Sequence, residues 1–315
     1  MELHRTSGRR GLGFALASVT MLLWGTLPLA LEIVLRGLDA ATTVWVRFLF
    51  AAAVLGAALA WRRRLGALAR LGRRGWLQLA VATLFLALNY FAYLVGLDLT
   101  NAASAQVLLQ LAPLLLALGG IVVFREVFTR LQWLGFAILV AGLGVFFLEQ
   151  LRGLVADADR YLRGSAVLVC AAVTWAIYGL FQKQLLGRLS SQQIMVGIYT
   201  GCALGFLPFA EPAAVAALAP EELAALAFCA LNTVLAYGAF SEALAHWEAS
   251  RVSSVLALTP LATLGFILLG SRLFPALVEP EPISATSLAG AAVVVTGSLL
   301  ASLGGTPQAL GDAAD

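Results

Sequence analysis

Apolar residues in this chain come in long runs, not at the three-or-four spacing of a soluble helix face. Ten such runs can be read, at residues 12–36, 42–61, 76–97, 103–123, 131–148, 164–182, 192–210, 222–243, 251–271 and 284–303, with charged or polar joints between them. A helix needs about 20 mostly apolar residues to cross a bilayer core. The pattern predicts ten membrane-spanning helices and an all-α integral membrane fold. The first run follows Arg5, Arg9 and Arg10, as a signal peptide would. Its apolar stretch is longer than the about 7–15 residues of a signal core, and a second run follows at once, so it is read as an uncleaved helix.

Polar and helix-breaking residues punctuate the runs in a repeating order. The stretch "VLLQLAPLLLALGGIVVFRE" (107–126) holds Gln110, Pro113 and the pair Gly119-Gly120. Its partner is "VLALTPLATLGFILLGSR" (255–272); in both, an arginine follows the proline by twelve residues, Arg125 after Pro113 and Arg272 after Pro260. The runs before them contain Ala-Leu-Asn, ending at Asn89 and Asn232. The runs after them carry glycines seven apart, Gly135 with Gly142 and Gly290 with Gly297. Each half opens with a related pair, Trp24-Gly25 and Trp175-Ala176.

Four matches in one order mark an internal repeat of five helices, and an odd number inserts the second copy upside down. The expected units are 1–148 (with a basic tail over 1–11), an outer connecting loop at 149–163, the second repeat at 164–303 and a polar tail at 304–315. Transporter repeats of this kind surround a midplane site. A proline inside a span leaves the carbonyl four residues earlier without its helical donor. Hydrocarbon tolerates that only where neighbours or a wet cavity satisfy the backbone. Pro113 and Pro260 are therefore expected to be paired hinges beside a central cavity, with the carbonyls of Leu109 and Leu256 freed toward it.

Composition agrees. The chain is 61% hydrophobic and 12% charged, against about 45–50% and 25% in globular domains, and a mean hydropathy of +0.92 is too apolar for water. Positive charge then gives orientation. Segments on one side hold Arg5, Arg9, Arg10, Arg62, Arg63, Arg64, Arg70, Arg73, Arg74, Arg125, Arg130, Lys183, Arg188 and Arg251. The other side holds Arg36, Arg152, Arg160, Arg163 and Arg272, and Arg47 lies within the second span. The bias places both termini in the cytoplasm. The basic loop "RRRLGALARLGRRGW" (62–76) suits an anionic inner leaflet, where each arginine contributes about 1 kcal/mol; nucleic acid is not an expected partner.

Trp24-Gly25, Arg47, Ala102-Ala103-Ser104, Pro113, Glu126 and the two glycine pairs resemble the EamA family of the drug/metabolite transporter superfamily, over about residues 12–303. The resemblance implies ten helices as two inverted five-helix repeats, a central substrate cavity and alternating access. Departures accompany it. Glu32 stands where the family often has a lysine, Arg125-Glu126 replaces Gly-Glu, and Gly270-Ser271 carries no glutamate in the second half.

Polar residues at membrane depth are costly and mark functional positions. Candidates for the cavity lining are Trp24, Asn89, Tyr90, Tyr93, Gln106, Gln110, Trp175, Tyr178, Asn232, Tyr237 and Thr259. Gln106, Gln110 and Pro113 fall at i, i+4 and i+7, a single helical stripe. Amides and phenols suit a polar or zwitterionic ligand, and the aromatics suit its apolar portion. The alternative for each is helix-to-helix glue, at about 0.6 kcal/mol apiece. Glu32 and Arg47 sit at similar depth and read either as a structural ion pair or as a proton-coupling carboxylate with its modulating cation.

Enzyme chemistry finds no footing. There is no G-x-x-x-x-G-K-[ST] and no H-E-x-x-H, and the two histidines, His4 and His246, leave little for a Ser-His-Asp site. Three cysteines (Cys170, Cys202, Cys229) lie inside apolar runs, an odd number at spacings that suit neither a disulfide framework nor a metal site. No cofactor is expected. The resulting expectation is a bacterial inner-membrane secondary transporter of small polar metabolites, amino acids or related compounds, working as an exporter with protons as the candidate coupling ion. A membrane sensor and an intramembrane lipid-modifying enzyme are the alternatives. The seam Gly290, Gly297, Ala301 and Gly305 is expected to face either a second protomer or a neighbouring helix.

Overall fold

A computed structural model describes residues 9–124, 129–153, 158–246, 252, 255–278, 280 and 284–303. Among these, the regular structure is entirely helical. The principal elements are α1 (Arg10–Val34), α2 (Ala40–Trp61), α3 (Arg73–Leu99), α4 (Ala102–Leu108), α5 (Leu111–Phe124) and α6 (Arg130–Gly153). They continue as α7 (Ala158–Leu185), α8 (Ser191–Phe206), α9 (Pro220–His246), α10 (Thr259–Leu273) and α11 (Ala285–Leu303).

Polar joints between the apolar runs start these helices. The Asp39 side chain accepts from Thr42 N–H at 2.9 Å to open α2, and Asn101 accepts from Ser104 N–H at 2.8 Å to open α4. Ser190 and Gln193 exchange bonds with each other's backbone in a capping box before α8. The turn after α2 is closed by Arg63 in the left-handed region, φ 52°.

Five segments among the described residues are long and apolar enough to cross a membrane: α1, α2, α3, the Ala158–Gln182 part of α7 and the Pro220–Phe240 part of α9. Shorter apolar helices cover Arg130–Phe146, Thr259–Leu273 and Ala285–Ala301. Three predicted runs are interrupted. The fourth breaks at a Leu109–Gln110 turn between α4 and α5, the ninth breaks at an Ala257–Leu258 turn just before α10, and the seventh tightens into a 3-10 turn at Leu207–Phe209, where Pro208 sits. Arg125, Glu126, Glu248 and Gly305 lie outside the described residues.

Helix pairing follows a reciprocal rule. The most extensive contacts are α6 with α11, α3 with α7, α1 with α9 and α2 with α8; α5 also packs on α7 and α10 on α1. Exchanging the two halves turns α3–α7 into α9–α1 and α5–α7 into α10–α1, and leaves the other two pairs unchanged. Outside this bundle, Leu22, Leu84, Leu88, Leu204, Leu235 and Leu268 stand exposed, an apolar surface that a membrane protein presents to lipid. Trp61, Trp76 and Trp133, also exposed, flank the arginine-bearing joints, where amphipathic rings sit at the headgroup level.

The glycine pairs explain the α6–α11 contact. A Cβ on Gly135 or Gly142 would collide with backbone of α11 at Gly297, Ala301, Val293 and Val294; one on Gly290 or Gly297 would collide with Phe146 or Leu139 of α6. Only hydrogen at these positions lets the two backbones meet. The described part of the small-residue seam thus faces a helix of the same chain.

Candidate functional site

Three consecutive carbonyls of α1 receive donors from three other helices. Asn232 Nδ2 on α9 donates to Leu23 O at 2.6 Å, Gln106 Nε2 on α4 reaches Trp24 O at 3.5 Å, and Thr263 Oγ1 on α10 donates to Gly25 O at 2.9 Å. The middle carbonyl is available for a reason. Pro28, inside α1, has no N–H, so Trp24 O lacks its usual i+4 donor. Gly25 completes the approach, since a Cβ there would press on Ala262 and Phe266 of α10. The proline that frees a carbonyl at the centre is therefore Pro28, which the sequence reading passed over.

Pro113 and Pro260 do something different. Each lies in the first turn of a half-helix, α5 or α10, just after the break, where a missing N–H is harmless. The carbonyls expected to be free are satisfied locally: Leu109 O accepts from Ala112 N–H at 2.9 Å, and Leu256 O accepts from the Thr259 hydroxyl. The predicted Gln106–Gln110–Pro113 stripe is split, because α4 ends at Leu108. Gln106 meets Tyr93, whose hydroxyl donates to Gln106 Oε1 at 3.4 Å, while Gln110 Oε1 accepts from Ser298 of α11 at 3.4 Å.

A second cluster surrounds Arg47, which is 2% exposed. Its Nε donates to Thr233 Oγ1 at 3.1 Å, and its guanidinium carbon sits 4.9 Å from the Tyr90 ring centroid. Phe48 stacks on Tyr90 and Tyr199 with centroids 4.6 and 5.8 Å apart. Tyr237 lies beside Tyr90 and Trp175. Trp24 packs edge-on to Tyr237 at 5.4 Å and against Phe240 at 5.7 Å, and Trp175 packs on Tyr178 at 6.4 Å. Tyr90, Tyr178 and Tyr199 are buried, whereas Trp24, Trp175 and Tyr237 keep part of their surface open. Helices of both halves thus bring together Trp24, Arg47, Tyr90, Trp175, Tyr178 and Tyr237.

Other candidates serve local roles. Asn89 Nδ2 donates to Ala171 O of α7 at 2.8 Å, the counterpart of Asn232 on α1. The Tyr178 hydroxyl contacts Met195 Sδ at 3.3 Å. Glu32 Oε1 accepts from Ala102 N–H at 2.8 Å, tying α1 to the start of α4. Thr233, Thr263, Phe48 and Tyr199 belong to the constellation and escaped the sequence reading. Two of them adjoin residues already singled out, Phe48 beside Arg47 and Thr233 beside Asn232. An open crevice of about 750 Å³ between α3 and α8 is lined by Leu79, Thr83, Phe91, Gly201, Phe206 and similar groups; its apolar walls suit an acyl chain, and none of the candidate residues lines it.

Comparison with known proteins places this geometry. The model of the EamA-like transporter family matches twice, over residues 11–148 and 162–303. An uncharacterized inner membrane transporter of Escherichia coli, YhbE, is 37% identical over 295 residues, covering 93% of this chain and 92% of that protein. An uncharacterized transporter of Haemophilus influenzae is 35% identical over 293 residues, 93% of this chain and 95% of its own length. A crystal structure of a protein with 22% identity superimposes with a TM-score of 0.62 over 95% of this chain and 98% of that one, a likeness of fold.

Proposed function

The chain belongs to the EamA-like transporter family, and on that premise we propose that this membrane transporter is a secondary active exporter of small polar metabolites, amino acids or related compounds, in the bacterial inner membrane. Ten spans form two inverted five-helix repeats that alternate access to a site between them. The observation that carries this reading is the reciprocal use of Asn89 and Asn232. Each closes an Ala-Leu-Asn sequence on the third span of its own repeat and donates to a carbonyl on the first span of the other. Two repeats bound through such exchanged contacts have an interface that can rock about a fixed site. The double family match supports the same division, and relatives named as transporters favour transport over enzymatic chemistry.

Trp24, Tyr90, Trp175, Tyr178 and Tyr237 are the proposed lining, with Gln106 and Tyr93 on one side; Pro28, Pro113 and Pro260 allow the flanking helices to bend. Protons are the proposed coupling ion, and the Arg62–Arg74 loop is proposed to rest on anionic inner-leaflet lipids. The test is reconstitution. Purified protein in liposomes loaded with unlabelled amino acids should accumulate labelled ones by counterflow, and an imposed pH gradient should drive uphill flux. Liposomes that exchange no solute under either regime would overturn the assignment.

A further inference from the structure

We infer that Arg47 anchors a carboxylate group of the transported solute, an inference that deepens the transporter reading and rests on it. A charged side chain at membrane depth is retained where it is paired or where it serves a substrate. Arg47 is the one charged residue in the buried set among the described residues. Its hydrogen bond goes to Thr233 through Nε alone, and its other polar contact is the Tyr90 ring face. Among the described residues no carboxylate stands within ion-pair distance of it. One hydroxyl and one ring leave the charge uncompensated. They also leave the two terminal nitrogens unused, the planar fork that matches both oxygens of a carboxylate.

A second observation points to the same place. The Tyr199 hydroxyl is buried, on a residue 2% exposed, and has no hydrogen-bond partner. Its ring stacks on Phe48, the residue after Arg47, and Tyr199 lies close enough to Arg47 and Tyr237 to sense their charge. Folded proteins seldom leave a buried donor unused without a functional reason. A carboxylate in this cluster would take the guanidinium fork on its oxygens and could accept from Tyr199 as well. The half-open faces of Trp24, Trp175 and Tyr237 would then receive the apolar remainder of the solute. Charge balance favours a monoanionic group, because one arginine cannot neutralise a phosphate dianion.

The experiment compares acids with their amides, which keep shape and lose charge. Thermal stabilisation of the full-length protein in nanodiscs is measured with L-phenylalanine, L-phenylalaninamide, L-leucine, L-leucinamide, 3-phenylpropionate and 3-phenylpropionamide, with inorganic phosphate as the dianion control. Each acid should bind at least about ten-fold more tightly than its amide, the loss expected for one charge-assisted contact, and phosphate should have no effect. Arg47→Gln should abolish the acid preference, Arg47→Lys should weaken it, and Tyr199→Phe should reduce it less. The proposal is overturned if no acid stabilises the wild type, if amides bind as well as acids, or if the preference survives in Arg47→Gln. The wild-type comparison decides the matter even where a variant fails to fold. Counterflow of uncharged or cationic solutes with no acid preference would sink this inference and leave the transporter reading standing, whereas absence of any flux would sink that reading.

Discussion

Asn89 and Asn232 each spend an amide hydrogen on a carbonyl of the opposite half. Their identical Ala-Leu-Asn settings made them visible in the sequence, but sequence could not tell a ligand contact from an interhelical bond, since both use the same amide. Replacing either by Leu should cost about 0.6–1.7 kcal/mol, the range for such bonds in membranes. The double variant should be close to additive, because the two bonds share no partner. Unfolding in mixed micelles gives both numbers, and a large coupling between the sites would contradict independent roles. Glu32 was legible as an odd carboxylate for its position, yet its partner was not, because Ala102 is 70 residues away and offers only a backbone N–H. An amide oxygen can accept that same bond. Glu32→Gln should therefore keep folded protein and uphill flux, and Glu32→Ala should lower stability by about 1 kcal/mol. Uphill flux lost in Glu32→Gln, with exchange intact, would instead make Glu32 the coupling carboxylate.

At the scale of elements, Pro113 and Pro260 marked the neighbourhood of two breaks in the sequence, but the break at Pro208 went unread and the freed carbonyl was misassigned. Pro113 and Pro260 were conspicuous because they repeat; Pro28, with no counterpart at the matching position of the second half, was not. A missing N–H inside α1 acts on Trp24 O, and Gln106 answers it from another helix. Pro28→Ala should restore that internal bond, straighten α1 and release Gln106. The expected outcome is a protein at least as stable as wild type that transports more slowly, measured as initial counterflow rate. Gln106→Leu should be tolerated better in the Pro28→Ala background than alone, since the carbonyl it serves would already be satisfied. The glycine seam gives a cleaner contrast. Gly297→Leu must push α11 away from α6 and should cost about 1–3 kcal/mol as overpacking, while Gly144→Leu, on the same α6 but facing open space, should be neutral. The spacing of seven revealed a packing seam; which helix it met emerged only from the assembled bundle.

For the whole molecule, apolar run length located the helical segments, because a bilayer demands length and hydrophobicity of every span alike, but it missed their breaks: the fourth run is α4 plus α5, and α10 begins well inside the ninth. What it could not supply was the interior, where α1 gathers donors from α4, α9 and α10 across separations of up to 238 residues. Orientation rests on charge alone. The joint after α2 and the first turn of α3 carry Arg62, Arg63, Arg64, Arg70, Arg73 and Arg74, and the joint after α3 carries no lysine or arginine. Translocating six arginines would oppose both the membrane potential and the anionic inner leaflet. The loop after Trp61 is thus expected inside and the turn at Thr100 outside, with α3 crossing between them. An alkaline phosphatase fusion after Arg64 should be inactive and one after Thr100 active, while a cytoplasmic fluorescent reporter should give the reverse. Matching signals at the two points would mean that α3 does not span the membrane, and the ten-helix arrangement would fall with it. Moving Arg62–Arg64 to the α3–α4 joint offers a stronger version, since a charge-determined topology should then invert or become mixed.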